Sequence, residues 1–198
     1  MSRYNGIHFM GDTLLFWRSL LRHPTRIGAV APSGRALARL ITAELTASDK
    51  SVIELGPGTG AFTEALIGRG VPEHRLVLVE ADQAFAKTLA ARFPRARVLA
   101  MDATHLGDVP DLFDEPAGAI LSGLPLLSMP VETVETILRG AFRHLGPGGA
   151  LYQFTYMPRC PVPSRVLDDL KLEALRVGCA WANLPPAFVY RLRRVSTS

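Results

Sequence analysis

The fold is decided by the stretch Glu54-Leu-Gly-Pro-Gly-Thr-Gly60. It follows the apolar pair Val52-Ile53 and leads into Phe62-Thr-Glu-Ala-Leu-Ile67, so it joins a predicted strand to a predicted helix. Because glycine has no Cβ, a loop with glycine at alternate positions lets its backbone come very close to a ligand. The stretch therefore predicts a bound nucleotide-like cofactor and, with it, an enzyme.

Strands and helices alternate along the chain from Ser51 onward. Apolar runs such as Leu76-Val-Leu-Val79 are typical of strands buried on both faces, as in a parallel sheet. Two further strands flank the turn Asn183-Leu-Pro-Pro186 and must be antiparallel, because the connection is so short. The sequence predicts a doubly wound α/β domain with a C-terminal antiparallel hairpin. We place strands at 51–55, 76–80, 96–100, 117–122, 149–155 and twice within 172–195, and helices at 12–23, 34–47, 60–69, 82–92 and 131–145.

Composition is that of a folded, reduced protein. Of the 198 residues 48% are apolar and 20% charged, which excludes a disordered chain. The net charge is +4 and most basic residues are arginine, which suits an anionic partner but also fits a general arginine preference. Cys160 and Cys179 have no disulfide or metal spacing, so we expect a cytoplasmic protein without a metal. The longest uncharged stretch, 117–131, is too short and too rich in proline to span a membrane.

The spacing of the glycine loop separates it from two other glycine-rich motifs. A dinucleotide-binding loop places two residues between its second and third glycines, and a P-loop ends in Gly-Lys-Ser/Thr. Here a single residue separates neighbouring glycines, and no lysine follows. The leading carboxylate of Glu54 suits the cationic amino-acid end of a cofactor, directly or through water, and would repel a diphosphate.

Three further signals follow the ends of the next three strands. Glu80 can accept both ribose hydroxyls of an adenosine. Asp102 can accept a hydrogen bond from an adenine amino group, and the Ala103 N–H can donate to the ring. The last signal is Leu121-Ser-Gly-Leu-Pro-Leu126. Ligands of open α/β sheets bind at the carboxyl ends of the strands, where all these signals are predicted to lie.

Together these motifs make residues 51–155 resemble the class I S-adenosylmethionine-dependent methyltransferases, which implies a Rossmann-like, mostly parallel seven-stranded sheet. The chain resembles more closely the bacterial phospholipid N-methyltransferases, relatives of the rRNA adenine dimethylases. The segments that carry this closer resemblance are 26–34, 52–63, 97–103, 122–130 and 183–191.

The resemblance implies S-adenosylmethionine as cofactor, S-adenosylhomocysteine as product, and no metal. It implies methyl transfer to the amine of phosphatidylethanolamine, ending at phosphatidylcholine in some members. The residues expected to hold the cofactor are Ser33, Glu54, Gly56, Gly58, Thr59, Gly60, Glu80, Asp102, Ala103, Ser122 and Gly123. Ser33 has a second interpretation as the N-cap of the helix predicted over 34–47.

The predicted helix over 12–23 is amphipathic and basic. Trp17 lies on its apolar side, and Arg18 and Arg22, four residues apart, project together from the other. Such a helix either lies on an anionic membrane or packs on the domain with its arginines in water, and both hold if it covers the site in solution. We expect a protein peripheral on the inner face of the cytoplasmic membrane. Residues 1–48 would form an arm with membrane-interacting or lid helices, and 49–198 the methyltransferase domain.

Transfer of a methyl group to an amine needs nitrogen, methyl carbon and sulfur in line, water excluded, and the amine neutral. Tyr156 would lie beside the cofactor, where its ring can hold a quaternary ammonium, and His8 can reach the site from the N-terminal arm. Neither is assigned as the base. The residues favoured for binding the lipid are Tyr4, Leu126, Tyr156, Arg159, Tyr190 and Arg191, although Tyr190 and Arg191 also suit an ordinary hairpin pair.

Two other functions remain open. An rRNA or tRNA adenine methyltransferase carries Asn-x-Pro-Tyr/Phe as its fourth motif, and the aromatic ring stacks on the flipped base. Leu126 stands at that place, and we expect neither an added helical RNA-binding domain nor a nucleic-acid partner. A non-catalytic membrane-binding protein with a vestigial cofactor fold is disfavoured by the intact acids at 54, 80 and 102. The oligomeric state and the number of methyl groups stay open.

Overall fold

The structure is a computed structural model, which describes residues 32–46, 51–183 and 185–195. The predicted helix over 12–23 lies outside the described residues, and so do the side chain of Ser33 and the whole of Tyr4, His8, Trp17, Arg18 and Arg22. Their predicted roles remain predictions.

In the described part of the chain, seven strands form one sheet. They are β1 (Val52–Leu55), β2 (Leu76–Val79), β3 (Arg97–Leu99), β4 (Ala117–Ser122), β5 (Leu145–Thr155), β6 (Leu172–Ala180) and β7 (Ala187–Arg194). Their order across the sheet is β3-β2-β1-β4-β5-β7-β6. The pairs among β1 to β5 are parallel, and β7 is antiparallel to both β5 and β6. The predicted doubly wound sheet with its antiparallel C-terminal pair is confirmed.

Helices cover both faces of the sheet. The α-helices are α1 (Pro32–Ile41), α2 (Ala61–Gly68), α3 (Gln83–Arg92), α4 (Val131–His144) and α5 (Ser164–Asp169), and 3-10 turns lie at Glu73–Arg75, Ala103–Asp108 and Leu126–Ser128. The first three α-helices pack on one face, and the last two pack on the other with the 103–108 turn. Among these described helices, none has the length and apolarity needed to cross a bilayer.

The strands are buried on both sides, as their apolar runs predict. Val52 belongs to the core cluster on one face and its neighbour Ile53 to the cluster on the other. Successive side chains of a strand point to opposite faces, so a strand between two helix layers needs an apolar residue at every position. The polar Glu54 in this buried strand is therefore an exception that calls for a functional reason.

The bounds that differ most from the predictions are those of α1, predicted over 34–47 and observed over Pro32–Ile41, and the start of β5, predicted at 149. Helix α1 begins at Pro32, so Ser33 lies inside its first turn and does not precede it as an N-cap. The glycine-proline run 146–149 follows α4 closely, as its residue types suggest, but it already belongs to β5, which begins at Leu145. Ala117 pairs with Leu145 and Ala119 with Ala150, so the run forms a bulge in the sheet. Gly148, at φ +75°, supplies the left-handed backbone that this bulge requires.

Helix α1 is fastened to the domain by polar contacts around its end. The Arg69 guanidinium, just after α2, donates to the Thr42 hydroxyl at 2.9 Å and to the Arg39 carbonyl at 3.1 Å, which caps the last turn of α1. Glu44 accepts from the Tyr152 hydroxyl at 3.0 Å and from the Arg191 guanidinium at 2.7 Å. The pKa of the Tyr152 phenol is raised to about 12, first by burial and then by this bond. Arg191 thus joins β7 to the segment after α1.

Candidate functional site

The carboxyl ends of the central strands meet at one edge of the sheet. Backbone bonds continue the ladder past the strand ends, from the N–H of Gly56 to the Val79 carbonyl at 2.9 Å and from the N–H of Gly123 to the Leu55 carbonyl at 2.8 Å. The N–H of Glu80 likewise donates to Leu99 at 3.0 Å. The structure therefore brings together the glycine loop, Glu80 and the loop after β4, as the sequence predicted.

The three glycines of the loop have different surroundings. Gly56, Gly58 and Gly60 all have positive φ, which a side chain would strain. A Cβ on Gly56 would lie 2.9 Å from the Leu124 side chain, and one on Gly60 would lie 2.7 Å from the Phe93 ring. A Cβ on Gly58 would meet no described atom within 4 Å. Gly56 and Gly60 are thus packed against protein, and Gly58 faces open space, which leaves room there for a ligand.

Glu80 fastens the loop to the end of β2. One carboxylate oxygen accepts from the N–H of Gly58 at 3.0 Å, and the other accepts from the N–H of Asp82 at 2.9 Å. The side chain is buried, yet each carboxylate oxygen has a second lone pair. Glu80 therefore presents an anchored carboxylate beside Gly58, with capacity left for the hydroxyl groups of a sugar.

Glu54 is a buried acid with one satisfied oxygen. Its side chain is 1% exposed, and its Oε2 accepts from the Thr63 hydroxyl at 2.6 Å. Its Oε1 has no hydrogen-bond partner among the described residues. Burial raises the pKa of Glu54 to about 7, the Thr63 bond opposes this, and the charge of Glu80 adds to it. An unpaired buried carboxylate is a strong acceptor for an ammonium group.

The remaining predicted cofactor residues line the same edge. The Asp102 carboxylate is exposed and accepts from the backbone and hydroxyl of Thr104 at 2.8 and 2.7 Å, and these bonds lower its pKa. Ala103 begins the 3-10 turn that follows. Ser122 is buried at the end of β4, and the carbonyl of Thr59 accepts from the Arg92 guanidinium at 2.6 Å. Their contacts with a cofactor stay predictions.

Sequence reasoning missed Gln153, which supports the loop after β4. Gln153 is fully buried on β5, beside Ser122 on β4. Its amide nitrogen donates to the Leu124 carbonyl at 2.9 Å, and its Oε1 has no partner in the described part of the chain. A single glutamine in the run Tyr152-Gln-Phe154 was the available signal, since a buried amide in an apolar strand needs a partner.

Tyr156 continues a row of aromatic rings that starts at the glycine loop. Phe62 and Phe154 meet edge to face with centroids 5.8 Å apart, and Phe154 meets Tyr156 in the same way at 5.5 Å. The Tyr156 phenol hydrogen-bonds with Asn183, and burial raises its pKa, so it stays neutral at physiological pH. Tyr156 is thus a neutral aromatic ring at this edge, suited to contact a cation and unsuited to act as a base.

The predicted lipid-binding residues are not all brought together. Tyr190 and Arg191 point to opposite faces of β7, because Tyr190 is in the core with α4 and Arg191 binds Glu44 beside α1. The two side chains therefore cannot bind the same phosphate group. Leu126 is 3% exposed and packs in the core, so its neighbour Leu127 presents the side chain at this edge. Arg159 is exposed in the loop after β5.

Two glycine substitutions separate ligand space from protein packing. We expect Gly58→Ala to lower the free energy of unfolding by only about 1–2 kcal/mol relative to the wild type, which is the cost of an alanine in the left-handed conformation. The same substitution is expected to abolish cofactor binding. Gly123→Ala would place a Cβ 2.6 Å from the Gly56 carbonyl, so it is expected to destabilise the protein by roughly 1–3 kcal/mol. Urea unfolding and calorimetric titration measure the two quantities. Equal cofactor affinity for Gly58→Ala and the wild type would contradict the assignment.

The residues fit a cationic, adenosine-containing cofactor. Two carboxylates, Glu54 and Glu80, lie at the glycine loop, and the charge of Glu54, which heads the loop, would repel the diphosphate of a dinucleotide. S-adenosylmethionine carries an ammonium that the Glu54 carboxylate attracts, directly or through water, and ribose hydroxyls that Glu80 can accept. No group of three or more metal-ligating side chains occurs within the described ranges.

Comparison with known proteins agrees with this geometry. A family model described as a methyltransferase domain matches residues 52–149. The ornithine lipid N-methyltransferase of Singulisphaera acidiphila is 34% identical over 197 residues, covering 96% of this chain and 100% of that protein. The ribosomal RNA small subunit methyltransferase A of Maridesulfovibrio salexigens is 47% identical over only 60 residues, 30% of this chain and 22% of that protein.

A solved structure supports the fold independently of close sequence similarity. The 1,6-didemethyltoxoflavin-N1-methyltransferase of Burkholderia thailandensis, crystallised with S-adenosylhomocysteine, superposes with a TM-score of 0.65 at 15% identity, covering 99% of this chain and 93% of that one. Three observations lead to the same conclusion: the similarity to the Singulisphaera enzyme over 96% of this chain, the seven-stranded sheet, and the carboxylates at the glycine loop. The chain belongs to the class I S-adenosylmethionine-dependent methyltransferases and uses S-adenosylmethionine as its cofactor.

Proposed function

We propose that the protein methylates the primary amine in the head group of a membrane lipid, at the inner face of the cytoplasmic membrane. The observation that carries the proposal is the similarity over the whole chain to a lipid N-methyltransferase. Phosphatidylethanolamine and ornithine lipid both offer an aliphatic primary ammonium at the bilayer interface. Phosphatidylethanolamine is the acceptor implied by the family resemblance of the sequence, and ornithine lipid is the acceptor named for the relative.

The chemistry asked of the chain is positioning and exclusion of water. Bound S-adenosylmethionine supplies a methyl group activated by its sulfonium. The acceptor ammonium has to lose a proton before its nitrogen can attack, and desolvation beside buried aromatic rings lowers its pKa. Tyr156 and Phe154 offer such a surface next to the glycine loop, and their π faces also attract the cationic product.

Methylation of ribosomal RNA is the second candidate, and the local match to an rRNA methyltransferase favours it. That match covers less than a third of this chain. Base methylation also calls for an aromatic side chain to stack on the flipped base, where this chain has Leu126 in the core. We therefore rank the lipid acceptor first.

The two candidates are separated by one labelling experiment. The purified protein is incubated with methyl-labelled S-adenosylmethionine and, in parallel, with vesicles containing phosphatidylethanolamine, vesicles containing ornithine lipid, or ribosomal subunits. We expect label in at least one lipid and none in RNA, and separation of the products counts the methyl groups added. Label in RNA with none in either lipid would overturn the proposal.

A further inference from the structure

The large apolar side chains that the structure leaves exposed are unevenly distributed. In the described part of the chain they are Leu127, Val131, Met157, Leu175, Trp181 and Val195. Leu127 follows β4, Met157 follows β5, and Val131 begins the helix that runs back from the same edge. Trp181 follows β6, whose end lies beside the carboxyl end of β5 because Ala180 pairs with Ala187 and Phe188 with Thr155. Four of the six therefore lie at the edge of the cofactor site, and we call these four the apolar rim.

Trp181 is the most exposed member of the apolar rim, at 75%. Near it, Asn183 donates from its backbone to the Ala180 carbonyl at 3.0 Å and from its side chain to the Pro185 carbonyl at 2.8 Å. The indole ring rests edge to face on Phe188, with centroids 6.3 Å apart. Trp181 thus presents a large amphipathic ring to water while one edge contacts Phe188, and such rings favour the interface of a lipid bilayer.

The charge of the loops at this edge suits a surface of phosphate groups. Three loops carry the apolar rim or adjoin it, namely 123–130, 156–163 and 181–186. They contain one arginine, Arg159, and no aspartate or glutamate. The first acid after the 123–130 loop is Glu132, in α4. The next arginine after Arg159 is Arg165, which is paired with Asp169 within α5, so Arg159 is the cation placed to meet a phosphate. At the opposite edge, the segment before β4 carries four acids in nine residues, 108–116.

We propose that the apolar rim docks onto the interface of a phospholipid bilayer, with Trp181 at head-group depth and Arg159 on lipid phosphate. The choice of a bilayer as partner rests on the proposed lipid acceptor. Docking in this orientation turns the carboxyl edge of the sheet, and with it the mouth of the cofactor site, towards the membrane. A head-group amine then reaches the site without the lipid leaving the bilayer. This contact is separate from the one proposed for residues 12–23.

The two tryptophans of the chain permit a direct test. In a Trp17→Phe variant of the full-length protein, Trp181 is the only tryptophan. We expect its emission to shift to the blue when vesicles of phosphatidylethanolamine and phosphatidylglycerol are added, and to be quenched when the acyl chains are brominated. Unchanged emission with vesicles that sediment the protein would overturn the proposal.

A second measurement compares charge placed on the rim with charge placed elsewhere. The double variant Trp181→Glu/Met157→Glu is expected to lower the vesicle partition coefficient, measured by sedimentation, by roughly tenfold or more. The reason is that both substitutions remove an apolar side chain from contact with lipid. Val195→Glu is the matched control, because Val195 is 52% exposed after the end of β7, at the opposite edge. It should sediment like the wild type. Unchanged thermal unfolding and S-adenosylmethionine affinity confirm that each variant is folded.

The outcomes of these experiments test the docking of the apolar rim and the proposed lipid acceptor separately. If the wild type methylates an aminolipid and the double variant sediments and methylates equally well, the rim proposal is wrong and the lipid acceptor stands. If Trp181 enters the bilayer but no aminolipid is methylated, the docking surface stands and the proposed acceptor is wrong. A wild type that does not bind vesicles contradicts the rim directly.

Discussion

Replacing Glu80 by alanine is expected to weaken the binding of S-adenosylmethionine at least about a hundredfold. Two ribose hydroxyls donating to a carboxylate contribute roughly 1.5–3 kcal/mol each, and 1.4 kcal/mol corresponds to a tenfold change in affinity. The substitution also removes the acceptor of the Gly58 N–H, so the glycine loop loses its attachment to the end of β2. Isothermal titration calorimetry measures the affinity, and urea unfolding measures the accompanying loss of stability.

Glu80→Gln separates the charge from the hydrogen bonds. Glutamine retains one carbonyl oxygen that can accept from the N–H of Gly58. Its amide nitrogen, however, would face the N–H of Asp82, which in the wild type donates to the carboxylate. We expect an affinity between those of the alanine variant and the wild type. Glu73→Ala is the matched control, because Glu73 accepts from the N–H of Arg95 in the turn before β2, away from the glycine loop. Wild-type affinity in Glu80→Ala would place the ribose elsewhere.

The sheet was predictable because its signals are local. Strands buried between two helix layers need apolar residues at consecutive positions, and Leu76–Val79 shows this without reference to the rest of the chain. The start of β5 was not predictable, since Gly146-Pro-Gly-Gly149 reads as a helix terminator. Its extended conformation depends on pairing with β4 on one side of a bulge, and only the assembled sheet supplies that pairing.

The part of the site that could be predicted consists of residues whose type and position directly after a strand are a signal in themselves. Glu80 and the three glycines stand directly after strands, and their type and spacing indicate a ligand. The partners that orient such residues come from elsewhere, as Gln153 comes to the Leu124 carbonyl. The ion pair of Arg191 could not be predicted for the same reason, because its partner Glu44 lies 147 residues away and no local pattern indicates the pair.

The buried Glu54 makes the stability of the cofactor-free protein depend on pH. Its pKa is about 7 in the folded state and near 4.5 in a solvated chain, so between these values the folded state binds more protons than the unfolded state. The free energy of unfolding therefore falls as the pH rises from about 4.5 to about 7, by on the order of 3 kcal/mol from this group. Glu54→Gln, which keeps an acceptor for the Thr63 hydroxyl, should lose this part of the pH dependence. Urea unfolding of both proteins across this range measures the difference.

The same proton links Glu54 to the cofactor. If the ammonium of S-adenosylmethionine binds the unpaired Oε1, only the ionised carboxylate binds it well. Wild-type affinity should then rise by up to roughly tenfold per pH unit below about 7. It should fall again where the cofactor's own α-amino group, with a pKa near 8, loses its proton.

Glu54→Gln should bind S-adenosylmethionine weakly and keep only the alkaline limb of this profile. Calorimetry at pH 6 in buffers of different ionisation enthalpy should show proton release on binding to the wild type and none on binding to the variant, because only the wild type has a proton on residue 54 to lose. Affinity that stays flat from pH 5 to 7 in the wild type would mean either that Glu54 is already ionised without cofactor or that the ammonium binds elsewhere. The unfolding measurements separate these two explanations, because an ionised Glu54 would also remove the difference in pH dependence between wild type and variant.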